Sequence, residues 1–180
     1  MDSAAPLTRL WLMRAAYFGL VLVILFFHLL PLDTVPRRIA PPDLFEALTF
    51  AWVLRRPDYV PPLSIAAAML LADLLLQRPP GLTALAVLLG AEFLRARGPG
   101  MRDTGFLFEW LVVALVMLAI PVLTRVVMGL SLTVQSPLSL VLSRAGFTIL
   151  AYPLVVAASQ ALLGVRRPAP GSGEQVGLRA

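Results

Sequence analysis

Residues 15–32 read Ala-Ala-Tyr-Phe-Gly-Leu-Val-Leu-Val-Ile-Leu-Phe-Phe-His-Leu-Leu-Pro-Leu, a run without a charged side chain. A helix of this length and character nearly matches a hydrocarbon core about 30 Å thick. The residues that follow, Pro31-Leu-Asp-Thr-Val-Pro-Arg-Arg38, contain no small-residue cleavage site, so the run reads as a retained first helix rather than a signal peptide.

Working outward, uncharged stretches recur at 59–72, 79–91, 110–124, 126–143 and 145–165. The composition agrees with a lipid setting. Of 180 residues 59% are hydrophobic and 14% charged, against about 45–50% and about 25% in soluble domains. Mean hydropathy is +0.85. At about 20 residues per span there is room for six spans and short connections, and none for a separate soluble domain.

All fifteen basic residues are arginine, set against ten acids for a net charge of +5. They fall singly or in pairs between apolar runs, with no basic face, which is membrane topology signalling rather than nucleic-acid binding. Having no cysteine, the chain lacks disulfides, thiolate metal sites and cysteine nucleophiles. Its single histidine, His28, rules out an imidazole-rich metal site.

The expected architecture is all-α, with helices at about 12–32, 43–56, 61–77, 81–95, 106–128 and 138–163. Pro153 is expected to kink the last. Residues 1–165 form one transmembrane domain, and 166–180, opening Arg-Arg-Pro-Ala-Pro-Gly-Ser-Gly, read as a disordered cytoplasmic tail. The weak point is 43–54: twelve residues make about 18 Å of helix, so this segment either spans with local thinning or lies at the interface. Six spans with both termini inside place ten arginines inside and three outside. A five-span arrangement with the N-terminus outside scores the same, so charge alone does not separate the two.

The sequence offers little catalytic chemistry. It has no His-Glu-x-x-His, no phosphate-binding glycine loop and no Gly-x-Ser-x-Gly elbow. Two ionisable residues fall within apolar stretches, Asp73 and Glu92, where charge in lipid is costly and faces the bundle interior. They could form a proton or cation relay. The plainer account pairs Asp73 with Arg78, or holds it by hydrogen bonds near a helix end, and pairs Glu92 with Arg95 one turn on. Asp43 and Glu46 suit the positive end of a helix. Ala68-x-x-x-Ala72, Ala86-x-x-x-Gly90 and Ala157-x-x-x-Ala161 put small residues one turn apart, a spacing that lets helices approach closely in lipid.

From Pro42 to Arg97 the motifs come in a distinctive order. Pro42-Asp43 opens a short helix carrying Trp52 that closes at Arg55-Arg56-Pro57. An apolar helix follows, ending Met69-Leu-Leu-Ala-Asp73-Leu-Leu. Gly81-Leu-Thr-Ala84-Leu85 starts the next, and Glu92-Phe-Leu-Arg95 closes it. In this order the segment resembles the MreD family of bacterial rod shape-determining membrane proteins, as does the final helix from Tyr152-Pro153-Leu154 to Arg166-Arg167. Family members more often carry a glycine near the third-helix aspartate, where this chain has Ala68 and Ala72.

The resemblance implies six transmembrane helices in the bacterial inner membrane, with a fold similar to the membrane S-component of ECF-type vitamin transporters. It implies a non-enzymatic, cofactor-free scaffold that binds MreC. Through MreC it would couple MreB filaments to a SEDS-type glycosyltransferase and its class B penicillin-binding transpeptidase. Asp43, Trp52, Asp73, Gly81, Glu92, Arg55, Arg56 and Arg95 are the structural or interaction candidates. The basic inner boundary (Arg55, Arg56, Arg95, Arg97, Arg102) is expected to meet cytoplasmic partners or anionic headgroups. A vitamin-binding transporter component is the alternative, and it requires an outward cavity lined by polar and aromatic residues. An intramembrane enzyme would need Asp73 or Glu92.

Overall fold

The structure, a computed structural model, describes residues 4–30, 40–101, 104–131 and 137–165. It is all-helical over these residues: α1 (Ala4–Leu29), α2 (Leu44–Arg55), α3 (Pro62–Leu75), α4 (Leu82–Arg97), α5 (Phe106–Leu130) and α6 (Leu138–Leu163). One-turn 3-10 helices at Pro57–Tyr59 and Pro99–Met101 join α2 to α3 and follow α4. The six expected helices are all present. The first begins earlier than the apolar run does, so Arg9 and Arg14 lie within α1. The expected tail and Arg102 lie outside the described residues.

Three helices are long and apolar enough to cross a membrane: α1 (from Leu7), α5 and α6. Their outward faces carry large exposed apolar side chains, among them Leu22, Phe26, Leu115, Leu154 and Leu162. A surface of that kind is stable against lipid and not against water.

The short α2 lies at the centre of the bundle. Every residue from Phe45 to Arg55 is buried, and α2 packs against α6, α4 and α1. A helix apolar on all sides belongs in an interior. Inside protein it has no need to match the bilayer, which explains a length of about 18 Å. Burial of α2 among the other helices means that it does not present a lipid-facing side of its own.

Consecutive helices run in opposite directions. At one end, the His28 ring of α1 lies 5.5 Å from Phe45 at the start of α2. There too, Arg78 beyond α3 and Arg144 early in α6 reach Asp43, which caps α2. At the other end, Arg14 of α1 donates to the Asp58 carbonyl and Trp52 to Ser159 late in α6. Arg95, late in α4, donates there to the Val60 carbonyl.

Two of the three small-residue pairs face inward. Ala68 and Ala72 are buried, as is Ala86. A Cβ on Gly90 would lie 2.8 Å from Val116 Cγ1 and 3.2 Å from Phe50 Cζ, so glycine is what lets α4 close on α5 and α2. Ala157 and Ala161 are exposed on the outside of α6.

Helix α6 continues through Pro153. Proline has no N–H, which leaves the carbonyl four residues earlier, that of Ile149, without its helical donor. The indole N–H of Trp110 in α5 supplies one at 2.9 Å.

Candidate functional site

Two polar assemblies sit at opposite ends of this apolar bundle. The first lies where α2 ends. Arg55 donates through Nη1 to Glu109 Oε1 at 2.9 Å, and the two side chains are 2% and 1% exposed. The Tyr152 hydroxyl donates to the same Glu109 oxygen, and Arg55 also reaches Tyr152 and the Ala51 carbonyl. Residues from α2, α5 and α6 are thus tied at one buried point. The idea that Arg55 meets a cytoplasmic partner or lipid headgroup is overturned, because its guanidinium is buried and paired with Glu109 inside the bundle.

The other boundary arginines are placed differently. Arg56 lies over the Tyr59 ring at 5.9 Å and Arg97 over Phe93 at 4.8 Å. Arg95 pairs with Glu92 at 2.8 Å, the one-turn pair expected. Trp52 is fully buried and donates to Ser159 Oγ at 3.1 Å. Alongside it, the Tyr17 hydroxyl meets Thr49 Oγ1 at 2.9 Å, joining α1 to α2.

Asp73 does not form the ion pair with Arg78; it takes the other expected form, a hydrogen bond at a helix end. Its Oδ2 accepts from the Ala84 backbone N–H at 3.1 Å. The reason lies in Gly81, the residue that caps α4. Its φ of +83° suits glycine, and glycine has no side chain to satisfy the first-turn amides. Asp73, reaching over from α3, supplies the missing acceptor. It is 1% exposed and faces protein on all sides.

The second assembly surrounds Asp43 at the opposite end. Asp43 caps α2 by accepting from Glu46 N–H at 3.4 Å. Its Oδ2 also takes Arg144 Nη2 at 2.6 Å and Arg78 Nη1 at 3.5 Å, and its own N–H donates to Thr148. Burial alone would raise the Asp43 carboxyl, but the Arg144 and Arg78 guanidiniums outweigh it and hold it below its ordinary value. Burial in turn pulls Arg78 down from its ordinary value.

Beside this cluster a cavity of about 360 Å³ opens between the start of α2, the α3–α4 connection, α4, α5 and α6. Its polar wall includes Asp43, Glu46, Arg78, Arg125 and Arg144, its apolar wall Met117, Ile120 and Val141, and no aromatic ring lines it. Glu46 is 9% exposed, and its Oε1 has no hydrogen-bond partner among the described residues. His28 approaches Phe45 without lining the cavity. Among the described residues no three His, Cys, Asp or Glu side chains form a metal-binding group.

No known protein family, curated protein or solved structure matches this chain. The resemblance to MreD therefore rests on the residues quoted for it.

Sequence reading singled out neither Glu109 nor the cavity, and it named Tyr152 only as part of the final-helix motif. Glu109 lies at the start of an apolar run. An acid three residues inside such a run is itself a sign of a buried partner.

Proposed function

We propose that this protein is a non-enzymatic membrane scaffold of the MreD kind, spanning the bacterial inner membrane six times with both termini in the cytoplasm. It binds MreC and so helps couple MreB filaments to side-wall peptidoglycan synthesis by a SEDS-type glycosyltransferase and its transpeptidase. One observation carries the reading: the residues that bear the resemblance are the ones that join the bundle. Asp43 gathers α2, α6 and the α3–α4 connection, while Trp52 ties α2 to α6. Asp73 and Gly81 together build the start of α4, and Arg95 fixes the α2–α3 connection. Ionisable groups spent on one another in this way suit a shaped surface better than a reaction centre.

The orientation follows from charge. Among the described residues six arginines (Arg9, Arg14, Arg55, Arg56, Arg95, Arg97) belong to the Trp52–Ser159 end and three (Arg78, Arg125, Arg144) to the cavity end. The arginine-rich end is the cytoplasmic one. The short helices α2, α3 and α4 count as spans because the long helices and their own packing shield them.

Depletion in the native host tests the reading, with imaging of cell shape and of fluorescent D-amino-acid incorporation. Rounded cells with dispersed side-wall synthesis are expected, together with crosslinking to MreC. Normal shape and normal incorporation would refute it. The cavity favours one second reading, a vitamin-binding transporter component, but its wall lacks an aromatic ring to stack on a planar vitamin. Loss of vitamin uptake on depletion, with cell shape unchanged, would put that reading first.

A further inference from the structure

The helices differ widely in the height of the apolar face that they turn outward. On α3 the exposed leucines run from Leu63 to Leu75, a rise of about 18 Å along the helix. On α5 the exposed apolar side chains run from Leu107 to Leu130, and on α6 from Leu138 to Leu162, about 35 Å in each case. The long helices exceed a hydrocarbon core of about 30 Å and fit it by tilting. The exposed face of α3 falls short of that core by about 12 Å, and tilting only worsens a shortfall.

Contacts between helices locate the shortfall at the cavity end. Gly90 of α4 lies beside Val116 and Ile120 of α5. Leu82, where α4 begins, is eight residues or about 12 Å outward of Gly90. The same rise along α5 ends near Val126, so α5 runs on past the start of α4 to Leu130. Asp73 accepts from the Ala84 N–H, which puts Leu75, two residues further outward on α3, level with Leu82. Helix α6 overhangs more. Thr148 accepts the Asp43 N–H, and Arg78 of the α3–α4 connection reaches the same Asp43. From Thr148 outward to Leu138 α6 rises about 15 Å.

At this one height the two flanks differ in character. The α3–α4 connection exposes Gln77, Pro79 and Pro80. Arg78 turns to Asp43 instead of reaching outward to lengthen the span. On the other flank Val126, Leu130 and Leu138 are exposed and call for hydrocarbon. A short span is accommodated by thinned bilayer, by snorkelling flanks or by association, and the direction of Arg78 leaves little for snorkelling.

We propose that the α3–α4 flank thins the bilayer on its own side of the molecule, drawing the leaflet at the cavity end inward and favouring short-chain lipids against it. This rests on the six-span reading only in taking α3 and α4 as spans.

The full chain carrying Leu75→Cys or Val126→Cys, each its sole cysteine, is spin-labelled in dioleoylphosphatidylcholine vesicles. Relaxation by oxygen and by a water-soluble nickel chelate gives the depth of each label. In a flat bilayer the two lie equally deep, being at one height in the bundle. Thinning places the Leu75 label nearer the water by about 5 Å or more, and a smaller difference would overturn the proposal. A bimane at the same two positions reads the lipid itself. Dibrominated phosphatidylcholine with 14-carbon chains should quench it at Leu75 about twice as strongly as the 22-carbon form, with no such preference at Val126. Equal quenching at Leu75 by the two lipids would overturn the preference for short chains. Weak quenching by both would mean that a second copy of the chain covers the flank, and would overturn lipid as its occupant. Maleimide labelling of Pro80→Cys and Gly100→Cys, at the two ends of α4, separates the failures. Both reacting from one side would remove α4 as a span and the proposal with it; opposite sides with equal depths would remove the proposal alone.

Discussion

Replacing Glu109 by leucine leaves the Arg55 guanidinium, 2% exposed, with its positive charge buried and its counter-ion gone. At an effective dielectric constant of about 20, unit charges about 4 Å apart attract by about 4 kcal/mol. Breaking a buried pair on one side costs about 3–5 kcal/mol. The Tyr152 hydroxyl, which donates to the same oxygen, loses its acceptor as well. Glu109→Leu is therefore expected to lower stability by about 3–5 kcal/mol, roughly a hundred- to a few-thousand-fold in the folding equilibrium. The triple variant Arg55→Met/Glu109→Leu/Tyr152→Phe removes every polar member at once, and buried ion pairs replaced by apolar groups of similar size are often neutral or better. It should return to within about 1–2 kcal/mol of the unaltered protein. Unfolding by sodium dodecyl sulfate in mixed micelles, followed by tryptophan fluorescence, gives the readout, because Trp52 is fully buried. A single variant costing under about 1 kcal/mol, or a triple variant as unstable as the single, would refute the view that this assembly is a closed structural unit.

Gly90→Ala should destabilise by about 1–3 kcal/mol, since its Cβ meets Val116 Cγ1 at 2.8 Å and overpacking costs that much; adding Val116→Ala should recover most of the loss in the same assay. Trp110→Phe should cost about 1–3 kcal/mol by stranding the Ile149 carbonyl, and Pro153→Ala in the same chain should restore it by returning the missing N–H. Because the chain has no cysteine, single cysteines report topology directly. An impermeant maleimide added to whole spheroplasts should label Pro80→Cys and leave Gly100→Cys unlabelled until the cells are opened; the reverse pattern would invert the proposed orientation.

The long helices were legible because the signal for each is contiguous: an uncharged run of span length is decided within its own residues. The position of α2 was less so. Its length argued against a span, while its real mark, apolar residues on every side of the helix, shows only when burial is set against length. Asp73 was read either beside its nearest cation or held by hydrogen bonds near a helix end; Arg78 turns to Asp43, and a backbone amide in the next helix supplies the second form. Arg55 read as a boundary charge because its partner lies 54 residues away in sequence, beyond any local pattern. The cavity was illegible for the same reason: Arg78, Arg125 and Arg144 belong to three separate segments, and nothing in their spacing brings them together.

The central place of α2 has a consequence for biogenesis. The ribosome makes this helix second, but its closest neighbour α6 comes last. At about 5–20 residues per second, the 54 residues between Arg55 and Glu109 take about 3–11 s to synthesise. Trp52 waits for Ser159 about twice as long, across 107 residues. Throughout that interval the nascent chain holds a short helix with an unneutralised arginine and no finished shell. Insertion machinery that shelters α2 until α5 and α6 arrive is thus as much a requirement of this fold as any residue within it.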